Sequence, residues 1–427
     1  MQDERFKDVQ DSSDRWYKLR GYVHFDNRVS KNIAVNCVKD PKYIAKHSFW
    51  PFLKNIQSTP KYKPRLKKTE KKDRPIMYAS HIDSHIYSWY TQLLSERYEA
   101  RIKDTELNRS VLAYRALGLS NINFAKDVFD EIEKRESCTA LAFDISKFFD
   151  TIDHENLKLS WCRLLDIDNS KLPEDHYKVF KSITRYSYIN MSDIYEKLDV
   201  EYKDLKKRSR ICSPHEFRSK LKSGLATNQN SYGIPQGSPI SALLSNIFLL
   251  NFDIIMSKYA LEIGGVYRRY CDDILWICPP GKSDEVSQKV EQEIRNCGSG
   301  LGINDEKTQK SEFIRENGVL RCTPETQPLQ YLGFVFDGQN RLIRSQTISR
   351  YYRRMTRAIY FIQKAADKYS EGEIIYRKGL YERFTHLGKR NFIKYAYRAS
   401  KIMDSAKIKG QTRNHWKKIH SSIDPNN

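Results

Sequence analysis

The chain has 427 residues, 39% of them hydrophobic and 12% aromatic, enough to bury a sizeable core and to fill two or three domains. Its 74 Lys and Arg outnumber 53 Asp and Glu, and a formal net charge of +21 favours a polyanionic partner, of which nucleic acid is the usual one. Composition excludes two classes. The eight cysteines are scattered without a C-x-x-C pair, which argues against a disulfide scaffold or a zinc site, and the richest apolar run, "ISALLSNIFLLNF", is too short and too polar to span a bilayer. The charged start "MQDERFKDVQDSSDRW" has no apolar core for a secretory leader, so a soluble, cytoplasmic chain with reduced cysteines and no membrane partner is expected.

No repeat of fixed period and no low-complexity tract is present. Up to about residue 60 aromatics recur, in "HFDNRV" and "HSFWPFL", and predict a folded segment. "KYKPRLKKTEKKDRP" follows, with eight Lys or Arg between Lys61 and Arg74, and reads as a mobile loop or a hairpin. From Ile82 to about Arg101 apolar residues fall at helical spacing. "CTALAFDIS" predicts a short buried strand interrupted by Asp144, and "DHENLKLSWCRLL" a helix with Asp153 as its N-cap. The stretch from about Lys171 to Asn230 is polar and reads as irregular. "YGIPQGSPISALLSNIFLLNFD" places Gly and Pro before a helix that starts near Ser238. "VYRRYCDDILWICPP" predicts two short strands around the adjacent Asp272 and Asp273. An amphipathic helix, "SDEVSQKVEQEIRNCGSGLGI", and a hairpin-like strand, "PLQYLGFVFDG", come next. Strands alternating with helices, but with hairpins among them, predict an α+β fold.

The last part changes character. From Arg341 to Asn427 there are 21 Lys or Arg and 6 Asp or Glu, so most of the net charge sits in this fifth of the chain. In "ISRYYRRMTRAIYFIQKAA" the apolar residues 348, 352, 355, 359, 362 and 366 form a regular helical stripe, and Arg350, Arg353, Arg354 and Arg357 lie elsewhere on the same helix. A small helical bundle with a basic outer face is expected, since a merely solvated face would mix its signs.

Two adjacent aspartates between aromatic and β-branched runs are either an acidic hairpin turn or a site for something positive. Joining a nucleotide to a growing chain uses two divalent cations about 4 Å apart. Hard cations such as Mg²⁺ take a few carboxylates together with phosphate oxygens and water. A strand ending in Asp144 beside a hairpin carrying Asp272 and Asp273 meets that description. The two places are 128 residues apart and meet only if their strands are neighbours in one sheet. His81, His85 and His154 have no ligand constellation around them and read as structural.

In order and spacing, "FDISKFFD" (143–150), "GIPQGSPISALLSN" (233–246) and "YCDD" (270–273) resemble the palm motifs of reverse transcriptases. "LGINDEKT" (301–308) and "YLGF" (331–334) are similar to the two motifs that follow, and "RPI" (74–76) with "VLAYRALGLSN" (111–121) to the fingers motifs. The resemblance spans about residues 20 to 420 and implies a right-hand polymerase fold. Fingers with an N-terminal extension would occupy 1–138, a palm with an antiparallel sheet and an insertion at about 171–230 would occupy 139–340, and a basic helical thumb 341–427. It makes Asp144 and Asp272 ligands of two Mg²⁺ ions, with Asp273 the third carboxylate and the carbonyl of Ile145 completing one shell. Phe149 matches the aromatic that lies against the incoming sugar and disfavours a 2′-hydroxyl. Gln236 and Gly237 match the loop beside the nucleotide, and Arg74 with Lys72 would hold the triphosphate. Lys307 would protonate the leaving pyrophosphate. Tyr270 would lie where primer end and nucleotide pass, and Tyr331, Leu332 and Gly333 would grip the primer. Arg115 either touches template or packs the fingers, and the basic helix of the thumb would carry nucleic acid.

Among reverse transcriptases, the chain shows no RNase H, integrase or endonuclease segment, no Cys-His cluster and no "VTG" triplet in the thumb, so retroviral, group II intron and retron enzymes are poorer matches. "HFD…HSFWPF", "RPIMYASHIDSHIYSWY" and "AYRALGLSN" are similar to the N-terminal half of the bacterial "unknown group" of defence-associated reverse transcriptases, and the single-domain type-two class fits best. That resemblance implies anti-phage defence, a noncoding RNA as bound partner and template, deoxynucleoside triphosphates as substrates and an RNA–DNA hybrid as product. The rival readings are a retron-type enzyme, an untemplated or protein-primed polymerase, and a noncatalytic RNA-binding module.

Overall fold

The computed structural model of the chain describes residues 15–63, 68–168, 170–205, 207–325, 327–369 and 377–423. The basic stretch near residue 60 belongs to a long hairpin. Strands β1 (Phe52–Lys63) and β2 (Lys68–Tyr78) pair antiparallel from Leu53↔Tyr78 to Lys63↔Lys68. Pro75 is tolerated because β2 is an edge strand, where a missing N–H breaks no ladder. The two faces of the hairpin separate by the period of two. Phe52 and Met77 enter the main core, while Leu53 and Tyr78 pack in a smaller one.

β3 (Ser137–Asp144) is the centre of the molecule and is buried on both faces, which explains its unbroken apolar run. Leu141 and Phe143 join the main core with residues of the helices His81–Ile102, His154–Leu164 and Ser241–Phe248. Cys138 and Ala140 face the helix Asn121–Glu133 through Phe129 and Ile132. Each fully buried Leu, Ile or Phe contributes about 1.5–3 kcal/mol, so two covered faces anchor this strand firmly. Asp153 caps the helix that follows, accepting from the Asn156 amide at 2.8 Å.

The stretch expected to be irregular is folded. It holds the helices Glu174–Thr184 and Met191–Leu198, and the short strands β4 (Ser187–Asn190) and β5 (Ala226–Thr227) extend the hairpin into a sheet of order β2-β1-β4-β5, with β4 parallel to β1. Its small core joins Ile189, Ile194, Ile211 and Leu221 to Phe25 and Leu53 from far upstream. No local periodicity announces a core whose other half is supplied by distant residues.

Strands β6 (Val266–Tyr270), β7 (Asp273–Cys278), β8 (Gln309–Glu316) and β9 (Val319–Thr323) complete an antiparallel sheet of order β6-β7-β3-β8-β9. A third sheet, β10 (Leu329–Tyr331), β11 (Phe334–Phe336) and β12 (Arg341–Ile343), packs beside it. It runs across residue 340, so the expected palm–thumb boundary falls inside a hydrogen-bonded sheet. Arg341 reinforces that junction with ion pairs to Asp130 at 2.6 Å and Glu133 at 2.7 Å.

The basic helix spans Ser345–Tyr369 and buries Tyr351, Met355, Ile359 and Ala366, with Tyr352 and Ile362 half-buried at the edge of the seam. Leu380, Phe384 and Ile419 from the helices Arg377–Phe384 and His415–Ile423 cover it. Arg350, Arg353, Arg354 and Arg357 are exposed, as expected from the stripe. All eight cysteines are free thiols. Among the described residues no helix is long and apolar enough to cross a membrane.

Candidate active site

Three carboxylates converge at the end of the central sheet. β3 and β7 pair antiparallel with Asp144 opposite Asp273, and β6 and β7 pair with Tyr270 opposite Asp273. Cys271 and Asp272 therefore form the two-residue turn between β6 and β7. The chain is then stitched across the gap, because the Ile145 amide donates to the Asp272 carbonyl at 3.1 Å. From the other side the segment 302–307 is laced to the same strand end, with Asn304 N–H on the Asp144 carbonyl at 2.8 Å and Ser146 N–H on Gly302 at 2.9 Å. That lacing delivers Lys307, whose ammonium lies 2.5 Å from Asp144 Oδ2.

The electrostatics are those of a cation site. Burial, then the charges of Asp272 and Asp144, push the Asp273 carboxyl up to about 7, against the opposing pull of Lys307 and Arg344. Lys307 stands on Asp144 as the protein's own cation. Among the described residues no three His, Cys, Asp or Glu side chains enclose a metal by themselves. A hard divalent cation here would draw its remaining ligands from phosphate and water, which is the habit of Mg²⁺ in phosphoryl-transfer sites.

A second group of the expected residues gathers around the loop 233–238. The Ile234 amide donates to the Phe149 carbonyl at 2.9 Å, and Gly233 N–H to Ile152 at 2.8 Å, tying the loop to the segment just after Asp144. Phe149 is half-buried against the main core. On its other side the loop meets β2, where the Met77 amide donates to the Gln236 carbonyl at 2.7 Å. Gly237 has φ +105°, and a Cβ there would stand 2.9 Å from the Met77 carbonyl oxygen and 3.0 Å from Ile76 Cγ2. The glycine is thus required by the protein's own strand β2. Gly237→Ala is expected to cost about 1–3 kcal/mol, read as a lower melting temperature, because both the backbone and the contact are strained. Arg74 shares the Ile76 face of β2, and both Arg74 and Lys72 are exposed, so the two cations flank this loop.

The family model for reverse transcriptase (RNA-dependent DNA polymerase) matches residues 66–336, a span that holds the three aspartates, the loop at 233–238 and β2. The chain belongs to the reverse transcriptase family. No curated protein matches the sequence. Among solved structures the chain is similar to an apo telomerase from Candida tropicalis truncated from its C-terminal domain, at 13% identity and TM-score 0.41, covering 72% of this chain and 58% of that one. It is also similar to a telomerase from Candida albicans in complex with a TWJ fragment of telomeric RNA, at 13% identity and TM-score 0.39, covering 90% of this chain and 64% of that one. The chain thus spans roughly three fifths of the length of these neighbours.

Within this reverse transcriptase palm, the sequence motifs concealed the support of the acidic turn. Arg269 is fully buried beneath it. Its guanidinium grips Asp253 through two hydrogen bonds of 2.7 and 2.6 Å, and it also donates to Asn246 Oδ1 at 3.2 Å and to the Cys271 carbonyl at 3.0 Å. Tyr267 O–H adds a bond to Asp253 at 2.6 Å, and Asn246 reaches the Ala113 carbonyl at 2.9 Å. One signal was available. Arg269 lies on the same strand face as Tyr267, so a charge falls on the apolar side of β6 and demands a buried partner. Cys271 also gains a reason. It has φ +61°, is buried, and its sulfur accepts from Tyr114 O–H at 3.2 Å. Burial and Asp272 push the thiol up to about 12, so it is a neutral packing group and not a nucleophile.

Several of the remaining expectations are altered by the reverse transcriptase fold. Arg115 does not face nucleic acid: its side chain is 1% exposed, and its five N–H groups go to Glu99, to Asn108 and to the Val111 carbonyl. It packs the fingers, because the bidentate Glu99 and three other acceptors leave no donor over. Tyr331 is also a core residue, 4% exposed. What remains outward is the Leu332–Gly333 turn, both residues left-handed at φ +46° and +91°, held by Asn121 on the Leu332 carbonyl at 3.0 Å. Tyr270 is half-buried and meets Phe124 with its ring tilted, at 6.1 Å. The three histidines are structural in their contacts. His154 bonds the Gly233 carbonyl at 2.8 Å, His85 stacks on Tyr17 at 4.8 Å and His81 on Tyr22 at 5.6 Å.

Proposed function

We propose that the chain is an RNA-directed DNA polymerase that copies a bound noncoding RNA into DNA by two-metal nucleotidyl transfer, and that it does so in the cytoplasm of a bacterium as part of antiviral defence. The observation that carries the polymerase reading is Asp144 opposite Asp273 across adjacent strands, with Asp272 in the turn between. Asp144, Asp272 and the Ile145 carbonyl would hold two Mg²⁺ ions, and the crowded carboxylates and the Lys307 ammonium on Asp144 support a need for positive charge there. Bound Mg²⁺ would lower the pKa of the attacking primer hydroxyl and neutralise charge around the phosphorus.

The chain's own residues supply the rest. Arg74 and Lys72 bind the triphosphate from β2, guanidinium matching phosphate bidentately. Lys307 holds a proton within reach of the leaving pyrophosphate. The Phe149 ring closes the space a 2′-hydroxyl needs. Phe149→Val is therefore expected to raise ribonucleotide use relative to deoxynucleotide use by about tenfold, measured by single-nucleotide incorporation. The Leu332–Gly333 turn supports the primer, and the exposed arginines 350, 353, 354 and 357 carry the backbone of the RNA–DNA hybrid.

The defence role and the noncoding template rest on the resemblance of the N-terminal half to the defence-associated group. The test is to sequence RNA and DNA that copurify with the protein, and to plate phage on cells carrying wild type or Asp272→Ala. Complementary DNA of one bound RNA, and protection lost in the variant, are expected. DNA that matches no bound RNA would sink the templated reading, and protection intact in the variant would favour the noncatalytic RNA-binding module.

A further inference from the structure

A cavity of about 1040 Å³ opens at the base of the β1–β2 hairpin, where the N-terminal segment, the two strands and the segment 191–209 meet. Its lining has three kinds of residue. Leu53 and Leu205 form an apolar floor, both buried. Tyr22, Tyr78 and Tyr195 supply rings, with Tyr22 and Tyr78 tilted against each other at 5.1 Å. Arg28 and Arg208 stand exposed in its wall, and no aspartate or glutamate lines it. Among the described residues neither arginine makes an ion pair, although the charge of Arg208 reaches Glu216 outside the lining, and Arg208 spends one N–H on the Ile211 carbonyl at 3.1 Å. The Asn55 side-chain amide, also in the lining, makes no hydrogen bond to the described protein.

Two cations in a wall that holds no acid ask for an anion. Rings over an apolar floor ask for a flat body, and a free amide asks for a hydrogen-bonding edge. A nucleotide has all three, with its phosphate on the arginines, its base against the tyrosines and its edge on Asn55. The volume exceeds what a simple anion fills and lies in the range of ligand sites. By the period of two, Asn55 and Tyr78 lie on the same face of the hairpin as Arg74, so the cavity is on the side of the sheet where the basic residues of β2 stand.

We propose that this cavity is a second nucleotide site, separate from the one at Asp144, and that it holds an unpaired nucleotide of bound RNA. The choice of RNA over a free nucleotide rests on the polymerase reading; the cavity chemistry does not.

The test uses the full chain and thiouridine-substituted poly(U), crosslinked by light and mapped by mass spectrometry, with affinity followed by fluorescence anisotropy at several salt concentrations. Crosslinks are expected in the peptides carrying Tyr22 or Tyr195 and should be lost in R28E/R208E. The slope of log affinity against log salt should fall by about 0.7 for the one lost phosphate contact. Asn55→Ala, which keeps the charges, should weaken binding by about fivefold. Extension of oligo(dT) on poly(rA) should be unchanged at saturating template in both variants. An absence of crosslinks at these peptides, or an unaltered salt slope in R28E/R208E, overturns the site. UMP that displaces the crosslink as well as poly(U) does overturns the assignment to RNA. Asp272→Ala should crosslink like wild type, so a wild-type protein that crosslinks but makes no DNA would sink the polymerase reading and leave the cavity standing.

Discussion

Asp272→Ala is expected to lower nucleotide incorporation on a primed RNA template by on the order of 10³-fold, the loss typical when a group that stabilises transition-state charge is removed. The same substitution is expected to leave the metal-free protein folded and more stable above neutral pH. Asp273 is held at about 7 by burial and by the charges of Asp272 and Asp144, against an ordinary value of 3.8. A carboxyl raised in the folded state contributes its stability below about pH 4 and loses it as pH rises through 7. Removing Asp272 takes away one of the two like charges, so the fall in melting temperature between pH 6 and 8 becomes shallower. If the site takes Mg²⁺ as proposed, the ion is expected to act in the same direction on the wild type, raising its melting temperature at pH 8 more than that of Asp272→Ala. Primer extension and calorimetry with and without Mg²⁺ check all three statements. Full incorporation by Asp272→Ala would remove the basis for the site.

Arg269→Met is expected to destabilise the protein by about 3–5 kcal/mol, because it leaves the Asp253 carboxylate buried without its partner. Arg269 and Asp253 are both 0% exposed, and the pair also holds Tyr267, Asn246 and the Cys271 carbonyl. At this chain length the cost is read as a fall in melting temperature of about 5 °C. The double variant Arg269→Met, Asp253→Leu recovers most of that loss, since no charge is then stranded. Its melting temperature is nevertheless expected to return without full activity, because the donor that fixes the Cys271 carbonyl, and with it the Asp272 turn, is still missing. A single variant as stable as wild type, or a double variant less stable than the single, would contradict the buried pair.

Much of the site was legible because its chemistry is locally written. An aspartate ending an apolar run, two more in a tight turn between β-branched residues, and a glycine before a helix all declare themselves within a few residues of Asp144, Asp272 and Gly237. The thumb helix was equally legible, since a stripe at 348, 352, 355, 359, 362 and 366 is a local period, and its arginines fall outward by the same geometry. Arg115 shows the limit of such reading. An arginine in a basic chain looks like a phosphate ligand until Glu99 and Asn108 are seen to take its donors.

What the amino-acid sequence determined by itself was the alternation of buried and exposed positions, the acids that interrupt it and the sign of the charge at its end. Only the tertiary structure decided which elements are neighbours. The register that sets Asp144 against Asp273 joins residues 129 apart, and the sheet that unites β1 with β4 gives the 171–230 stretch its core. The physical reason is that periodicity reports only whether a face is covered, whereas the identity of the cover is set by packing both faces of β3 at once. Arg269 shows the same division: its place on the apolar face of β6 is written in "VYRRY", and its partner Asp253 was supplied by a helix that only the fold brings beneath the turn.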